Sequence, residues 1–291
     1  MDRFLRPAEV IHGTNYTVPP SRLPRVVTVY DCWFLRHPDQ ASAHVTRAGQ
    51  VLRRAVNTGA VVHACSTATA DAVRELLHTS RVEVIPFAAL PSHTEPSTTS
   101  PVAELQGVPY VLALGTLERR KNLSSLVTAF GHVAAHQPDL RLVLAGSDGD
   151  DRAAVNTAID TLQPSARKRV LLTGRIDEAA KEWLLHNAMV LAYPSLDEGF
   201  GFPLLEAMRH DVPVVASDAG SIPEVAADAA LLVPARDVSA LADALSTATT
   251  DPSIRDALVR AGRRRLDHYS WQRSASLLAA LYQRMASEGT E

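Results

Sequence analysis

From about residue 105 onward, short apolar runs alternate with longer stretches whose apolar residues recur every three or four positions. Residues 110–114 (YVLAL), 140–145 (LRLVLA), 170–173, 190–193, 212–217 (VPVVAS) and 230–233 read as buried strands. Between them, residues 123–135, 153–162, 178–187, a segment starting at Pro203, 239–248 and 252–268 read as helices. Strands that are apolar on both faces belong to a parallel sheet covered on both sides, and strand–helix alternation is how such sheets are wound. The pattern predicts an α/β fold with a complete doubly wound domain from about residue 105.

Before that point the pattern is thinner. Residues 26–29 (VVTV) and 61–65 (VVHAC) read as strands and 69–77 (TADAVRELL) as a helix. Two strands and one or two helices in about 90 residues resemble the second half of a doubly wound domain. Residues 91–101, PSHTEPSTTSP, are rich in Pro, Ser and Thr without apolar periodicity, which marks a linker. The expected division is therefore 1–90, a linker at 91–104, a second domain at 105–269 and a terminal segment at 270–291.

In an open parallel sheet, ligands bind beyond the carboxyl ends of the strands. After YVLAL comes Gly115-Thr116-Leu117-Glu118-Arg119-Arg120-Lys121-Asn122, just ahead of a helix. A glycine there lets a ligand approach the backbone. Arg offers a bidentate fork and Lys a compact charge, beside a helix start that is itself partly positive. That combination suits a diphosphate; the same residues also read as a polar loop leading into an Asn-Leu-Ser-Ser helix cap. After VLAYP comes SLDEGFGFPLLEAM, with Glu198 in a loop, Gly199 and Gly201, and Pro203 as the expected first helical residue. Amides around Phe200, Phe202 and Leu204 would face out of the helix start, with Glu206 one turn inside it. Two carboxylates flanking an anion-friendly helix start suit a nucleoside diphosphate sugar, which has hydroxyls on both sides of its phosphates. A strand–helix turn with an acidic first turn is the plainer reading. Asp218-Ala219-Gly220-Ser221-Ile222-Pro223-Glu224 forms a third glycine turn at the same end, read equally as structural.

Composition narrows the alternatives. A net charge of -3 and the lack of a long basic block give no reason to expect a nucleic-acid partner. Arginines scattered before residue 60, from Arg3 to Arg54, read as solvated surface or as an acceptor or membrane-surface face. The two cysteines, Cys32 and Cys65, form no CxxC, and MDRFLRPAEVIHG has no apolar signal core, so a cytoplasmic protein is expected. There is no GxGxxG after a strand, no GxxxxGK[ST], no HExxH and no GxSxG. Asp148-Gly149-Asp150-Asp151 lacks calcium-loop spacing and reads as a polar loop. Lysine occurs only at Lys121, Lys168 and Lys181.

EGFGFPLLE, preceded by GTLERRKN and followed by GSIPEV, resembles the C-terminal half of a family 4 retaining glycosyltransferase of the GT-B fold. The likeness extends to SWQRSASLLAALY, where the family has a helix crossing back to the N-terminal domain, and to VIHGTNYTVPP, RVVTVYDCWFLRHPD and CSTATADAVRELL before the linker. It covers nearly the whole chain. The resemblance implies two Rossmann-like domains, the N-terminal one incomplete, because relatives carry a further stretch before the VIHG segment. It implies transfer of a sugar, mannose slightly favoured, from a nucleotide-diphosphate donor to a carbohydrate or lipid-linked hydroxyl with retention, with no cofactor and no metal. By the same resemblance Arg120 and Lys121 hold the diphosphate, Glu198 binds the donor sugar and amides near Phe200–Phe202 orient it. Glu206 then binds the ribose, with Gly115, Thr116, Arg175, Gly199, Gly201, Pro203 and Leu204 completing the donor site. Location would be cytoplasmic, including the inner membrane face. One departure bears on this: the family's histidine before aspartate is here Tyr30. Thr116 stands where some members have arginine, as in many mannosyltransferase-like relatives, and does not count against the resemblance. A non-catalytic protein that binds the donor without transferring it is the alternative, and a nucleotide-sugar epimerase a third.

Overall fold

The structure is a computed structural model and describes residues 8–89, 100 and 102–288. The linker expected at 91–104 falls largely outside these residues. The described residues form two compact units. One draws on Met1–Ala88, Glu198–Phe200 and Tyr269–Glu291, the other on Ala89–Asp197 and Gly201–His268.

The first unit begins with β1 (Ile11–Gly13), β2 (Arg25–Val29), α1 (Trp33–Arg36), α2 (Ala43–Asn57), β3 (Val61–Ala64), α3 (Thr67–Leu77) and β4 (Val82–Val84). All four strands are parallel, in the order β1-β2-β3-β4. Alternation along the strands sorts the core into two layers. Val27, Val29 and Val62 join Leu52 and Val56 of α2 and Val73 and Leu77 of α3. Val26 and Val61 point the other way. The apolar pattern alone does not reveal α2, although its buried Leu52, Ala55 and Val56 are helically spaced; basic and small residues dilute the signal. Strands β1 and β4, three residues each, are too short for any periodicity to register.

The second unit contains β5 (Tyr110–Leu114), α4 (Leu123–Ala134), β6 (Arg141–Ala145), α5 (Arg152–Thr161), α6 (Pro164–Arg167) and β7 (Val170–Gly174). It continues with α7 (Glu178–Asn187), β8 (Val190–Tyr193), α8 (Phe202–Arg209), β9 (Val214–Ser217), α9 (Ile222–Ala226), β10 (Ala230–Val233), α10 (Val238–Thr250) and α11 (Pro252–Leu266). Its six parallel strands lie in the order β10-β9-β8-β5-β6-β7. The winding therefore reverses between β5 and β8, which pair through Val111↔Val190 and Leu112↔Leu191. One face packs Val111, Ala113, Leu142 and Leu144 under α4, α5 and α10. On the other, the Tyr110 hydroxyl donates to Leu184 O at 2.7 Å and its ring stacks on Trp183 of α7. Helix α8 starts one residue ahead of the expected Pro203, at Phe202, with Gly201 as its cap.

The last helix, α12 (Trp271–Glu288), belongs to the first unit, where Leu281 and Met285 pack on Val26 and Val61. A directional chain of hydrogen bonds ties it down. The Tyr282 hydroxyl bonds His12 Nδ1, His12 Nε2 bonds Thr28 Oγ1 at 2.7 Å, and Thr28 Oγ1 bonds His63 Nδ1 at 3.0 Å. His63 Nε2 then donates to Ile85 O at 2.9 Å. That last bond fixes the proton on Nε2, so every link runs the same way only if both rings are neutral. Burial, and then the neighbouring His63, pull His12 down to about 4, and burial lowers His63 as well.

Candidate functional site

The winding reverses between β5 and β8, and doubly wound sheets bind ligands at the carboxyl ends of the strands where the order reverses. Beyond β5 the chain passes Gly115 at φ +131°, a conformation that favours glycine. A Cβ there would also press on Lys121 Cε at 3.3 Å. A 3-10 turn, Arg119–Lys121, and Asn122 at φ +54° then deliver the chain into α4. The turn is anchored to the segment after β8. The Leu196 amide donates to Arg120 O at 2.7 Å, and Asn122 Nδ2 donates to Pro194 O at 3.2 Å and to Ala235 O at 2.9 Å. Arg120 donates to Asp197 O at 3.1 Å and lies 3.5 Å from Glu118; its side chain is 16% exposed. Lys121 Nζ donates to the Tyr193 hydroxyl at 3.1 Å and lies 4.8 Å from the ring centroid. Both cations are thus oriented by neighbouring groups. Thr116 is partly buried at the same strand end.

On α8, Gly201 adopts φ +96° as the cap. The Leu204 amide donates back to Gly201 O at 3.0 Å, Pro203 has no amide hydrogen, and the Leu204 side chain is core. The amide supply at this helix start is accordingly smaller than the residue pattern implies. Glu206 is 4% exposed, and its Oε1 lies 3.0 Å from Lys181 Nζ of α7. Arg175 is exposed, just after Gly174 at the end of β7.

Residues 198–200 belong with the first unit. Gly199 O accepts from Ser66 Oγ at 2.7 Å, Thr69 Oγ1 at 3.1 Å and Cys65 Sγ at 3.2 Å. A Cβ on Gly199 would fall 1.6 Å from Tyr30 O, so this position requires glycine for close approach. Phe200 packs edge-on against Phe87 and Tyr269, and Glu198 is buried. Burial pushes the Cys65 thiol up to about 12, which leaves it a weak nucleophile. The Tyr30 hydroxyl donates to Thr14 O at 2.8 Å while its ring stacks on Phe87.

Two carboxylates of the acidic run after β6 are engaged by protein groups. Asp148 pairs with Arg152, Asp150 accepts from the Arg119 amide, and Asp151 precedes α5. Nothing in the local residue pattern singles out Lys181, Asn122, Ser66 or Thr69 for the site; for Lys181 the one signal is the rarity of lysine in this chain. No described helix is long and apolar enough to cross a membrane.

Two open parallel sheets of this kind define the class as the GT-B fold. WaaG, a glycosyltransferase involved in lipopolysaccharide biosynthesis, superimposes with a TM-score of 0.71 at 17% identity, over 99% of this chain and 80% of that one. Residues 98–265 match the family described as glycosyl transferases group 1, and the chain belongs to it. It is 31% identical over 210 residues to a phosphatidyl-myo-inositol mannosyltransferase of Mycobacterium leprae, covering 69% of this chain and 54% of the relative. It is 27% identical over 274 residues to O-antigen chain mannosyltransferase B of Escherichia coli, covering 90% and 71%. The chain thus spans about half the length of the mycobacterial relative.

Proposed function

We propose that the chain is a retaining glycosyltransferase that moves a sugar, mannose in preference, from a nucleotide-diphosphate donor to a hydroxyl of a carbohydrate or lipid-linked acceptor. The observation that carries this reading is the pair Arg120 and Lys121, held on an anchored turn at the carboxyl end of β5, where the strand order reverses. Cations fixed in advance stabilise the charge that grows on a departing diphosphate. In this reading Arg120 and Lys121 hold the diphosphate. Gly115 and Thr116 let it approach the backbone, Glu206 takes the ribose, and Arg175 lies toward the nucleoside. Glu198, with Gly199, Phe200, Gly201, Phe202, Pro203 and Leu204 around it, contacts the donor sugar. No metal is required, because the protein's own cations meet the charge. The two mannosyltransferase relatives support the choice of sugar, and work in the cytoplasm or at the inner membrane face accords with acceptors of this kind.

Incubating purified protein with guanosine, uridine and adenosine diphosphate sugars tests the reading. Release of nucleoside diphosphate, by transfer or by slow hydrolysis, is expected, fastest with a mannosyl donor. Binding without release would instead make the chain a donor-binding protein, and no binding of any donor would remove the proposed site.

A further inference from the structure

Glu206 lies at the centre of the donor-site reading, yet it does not face open solvent. It projects from the first turn and a half of α8 and is 4% exposed. A buried carboxylate is costly unless a counter-charge and hydrogen bonds replace the lost water. The counter-charge comes from α7. Lys181 Nζ lies 3.0 Å from Glu206 Oε1 and 2.8 Å from Glu178 Oε1, with its own side chain 18% exposed. Burial is the largest single influence on this ammonium and acts to lower its pKa, but the two carboxylates together outweigh it and hold the pKa above its ordinary value.

Lys181 is not alone in linking the two helices. Trp183, Leu184 and Leu185 of α7 are fully packed. Glu182, 1% exposed, also reaches Arg209 at the far end of α8 at 2.9 Å. The lysine's distinctive contact is local: it engages one oxygen of Glu206, Oε1. An ammonium has three donors, and two are accounted for by Glu178 and Glu206.

We propose that Lys181 is a positioning residue of the donor site, holding Glu206 so that one carboxylate oxygen stays on the lysine while the other meets the ribose hydroxyls of a nucleoside diphosphate. This rests on the donor-site reading above. Lys181 acts through Glu206 and touches no reacting atom.

The consequence is a coupling between Lys181 and the ribose hydroxyls that a purely structural lysine would not have. Calorimetric titration of the full chain uses whichever of guanosine, uridine or adenosine diphosphate binds best, alongside its 2′,3′-dideoxy form. Wild-type protein is expected to bind the ribose form about tenfold more tightly, as for a hydrogen bond to a charged group. Lys181→Met is expected to bind the ribose form at the dideoxy level, with no further loss for the dideoxy form. Lys181→Arg, which keeps the charge, is expected to restore most of the preference. If Lys181→Met does not fold, Lys181→Gln is read in the same way. Equal weakening of both ligands, or unchanged binding of both, overturns the inference while leaving the donor site standing. Wild-type protein without a preference for the ribose form overturns the role of Glu206 and hence of Lys181. Wild-type protein that binds none of the three nucleotides overturns the donor-site reading itself.

Discussion

Arg120→Ala is expected to lower the rate of donor turnover by about a hundred- to a thousandfold, the range found when a preorganised charge-stabilising group is removed. The expectation rests on where the guanidinium is held. Its side chain is 16% exposed and is directed by Asp197 O and Glu118, so its position is set before a ligand arrives. Arg119, one residue earlier on the same turn, has a side chain that is 61% exposed and reaches Asp150 only at 4.0 Å. Arg119→Ala should therefore change turnover less than about threefold, since an exposed surface pair contributes little. Arg120→Lys should recover only part of the loss, because a point charge cannot reproduce a planar bidentate fork. The effect should appear mainly in kcat, as expected for a contact that strengthens in the transition state. Steady-state kinetics of the three variants, with thermal melting to exclude unfolding, checks the expectation. Arg120→Ala with near wild-type turnover would exclude the assigned role.

Gly146→Ala is expected to destabilise the second unit by about 3 kcal/mol, or roughly 10 °C in its melting midpoint. Gly146 follows β6, and a Cβ there would fall 1.9 Å from Gly115 O, 2.4 Å from Gly115 C and 3.0 Å from Thr116 N. All three are backbone atoms, so no side chain can swing aside. The loops after β5 and β6 would have to separate, which would disturb the hydrogen bond from the Gly146 amide to Gly174 O. The conformation of Gly146 plays no part, since it is not among the residues at positive φ. Gly59 makes the contrast: it sits at φ +92° with open space where a Cβ would go, nothing lying within 4 Å. Gly59→Ala should therefore cost only about 1 kcal/mol, the strain of its backbone conformation. Because Gly115 borders Lys121, Gly146→Ala should also weaken nucleotide binding at temperatures where the protein is still folded. Differential scanning calorimetry of both variants separates the two costs, and equal midpoints would contradict the steric account.

The strands of the second unit are readable from the chain because each is apolar on both faces and bounded by polar turns. Val190–Tyr193 and Ala230–Val233 match the apolar runs residue for residue. The placement of Arg120 and Lys121 at a strand end is readable for the same reason. Less can be read where the deciding contact is remote in sequence. Lys181 meets Glu206 across 25 residues, and Asn122 reaches Ala235 across 113. Neither link leaves a periodic trace. The three donors converging on Gly199 O come from residues 130 or more positions earlier, for which a glycine-rich turn is the only signal in the chain. In the first unit, α2 is hard to read because its buried stripe is built from alanine and glycine as much as from leucine and valine.

In the proposed function a nucleoside diphosphate is held at the carboxyl ends of β5 and β8. A crystal structure of the full chain with a bound nucleoside diphosphate tests it most directly. Phosphate oxygens are expected within hydrogen-bonding distance of Arg120 and Lys121, and ribose hydroxyls on Glu206. A nucleotide bound elsewhere, with Arg120 still on Asp197 O and Lys121 still on Tyr193, would contradict it.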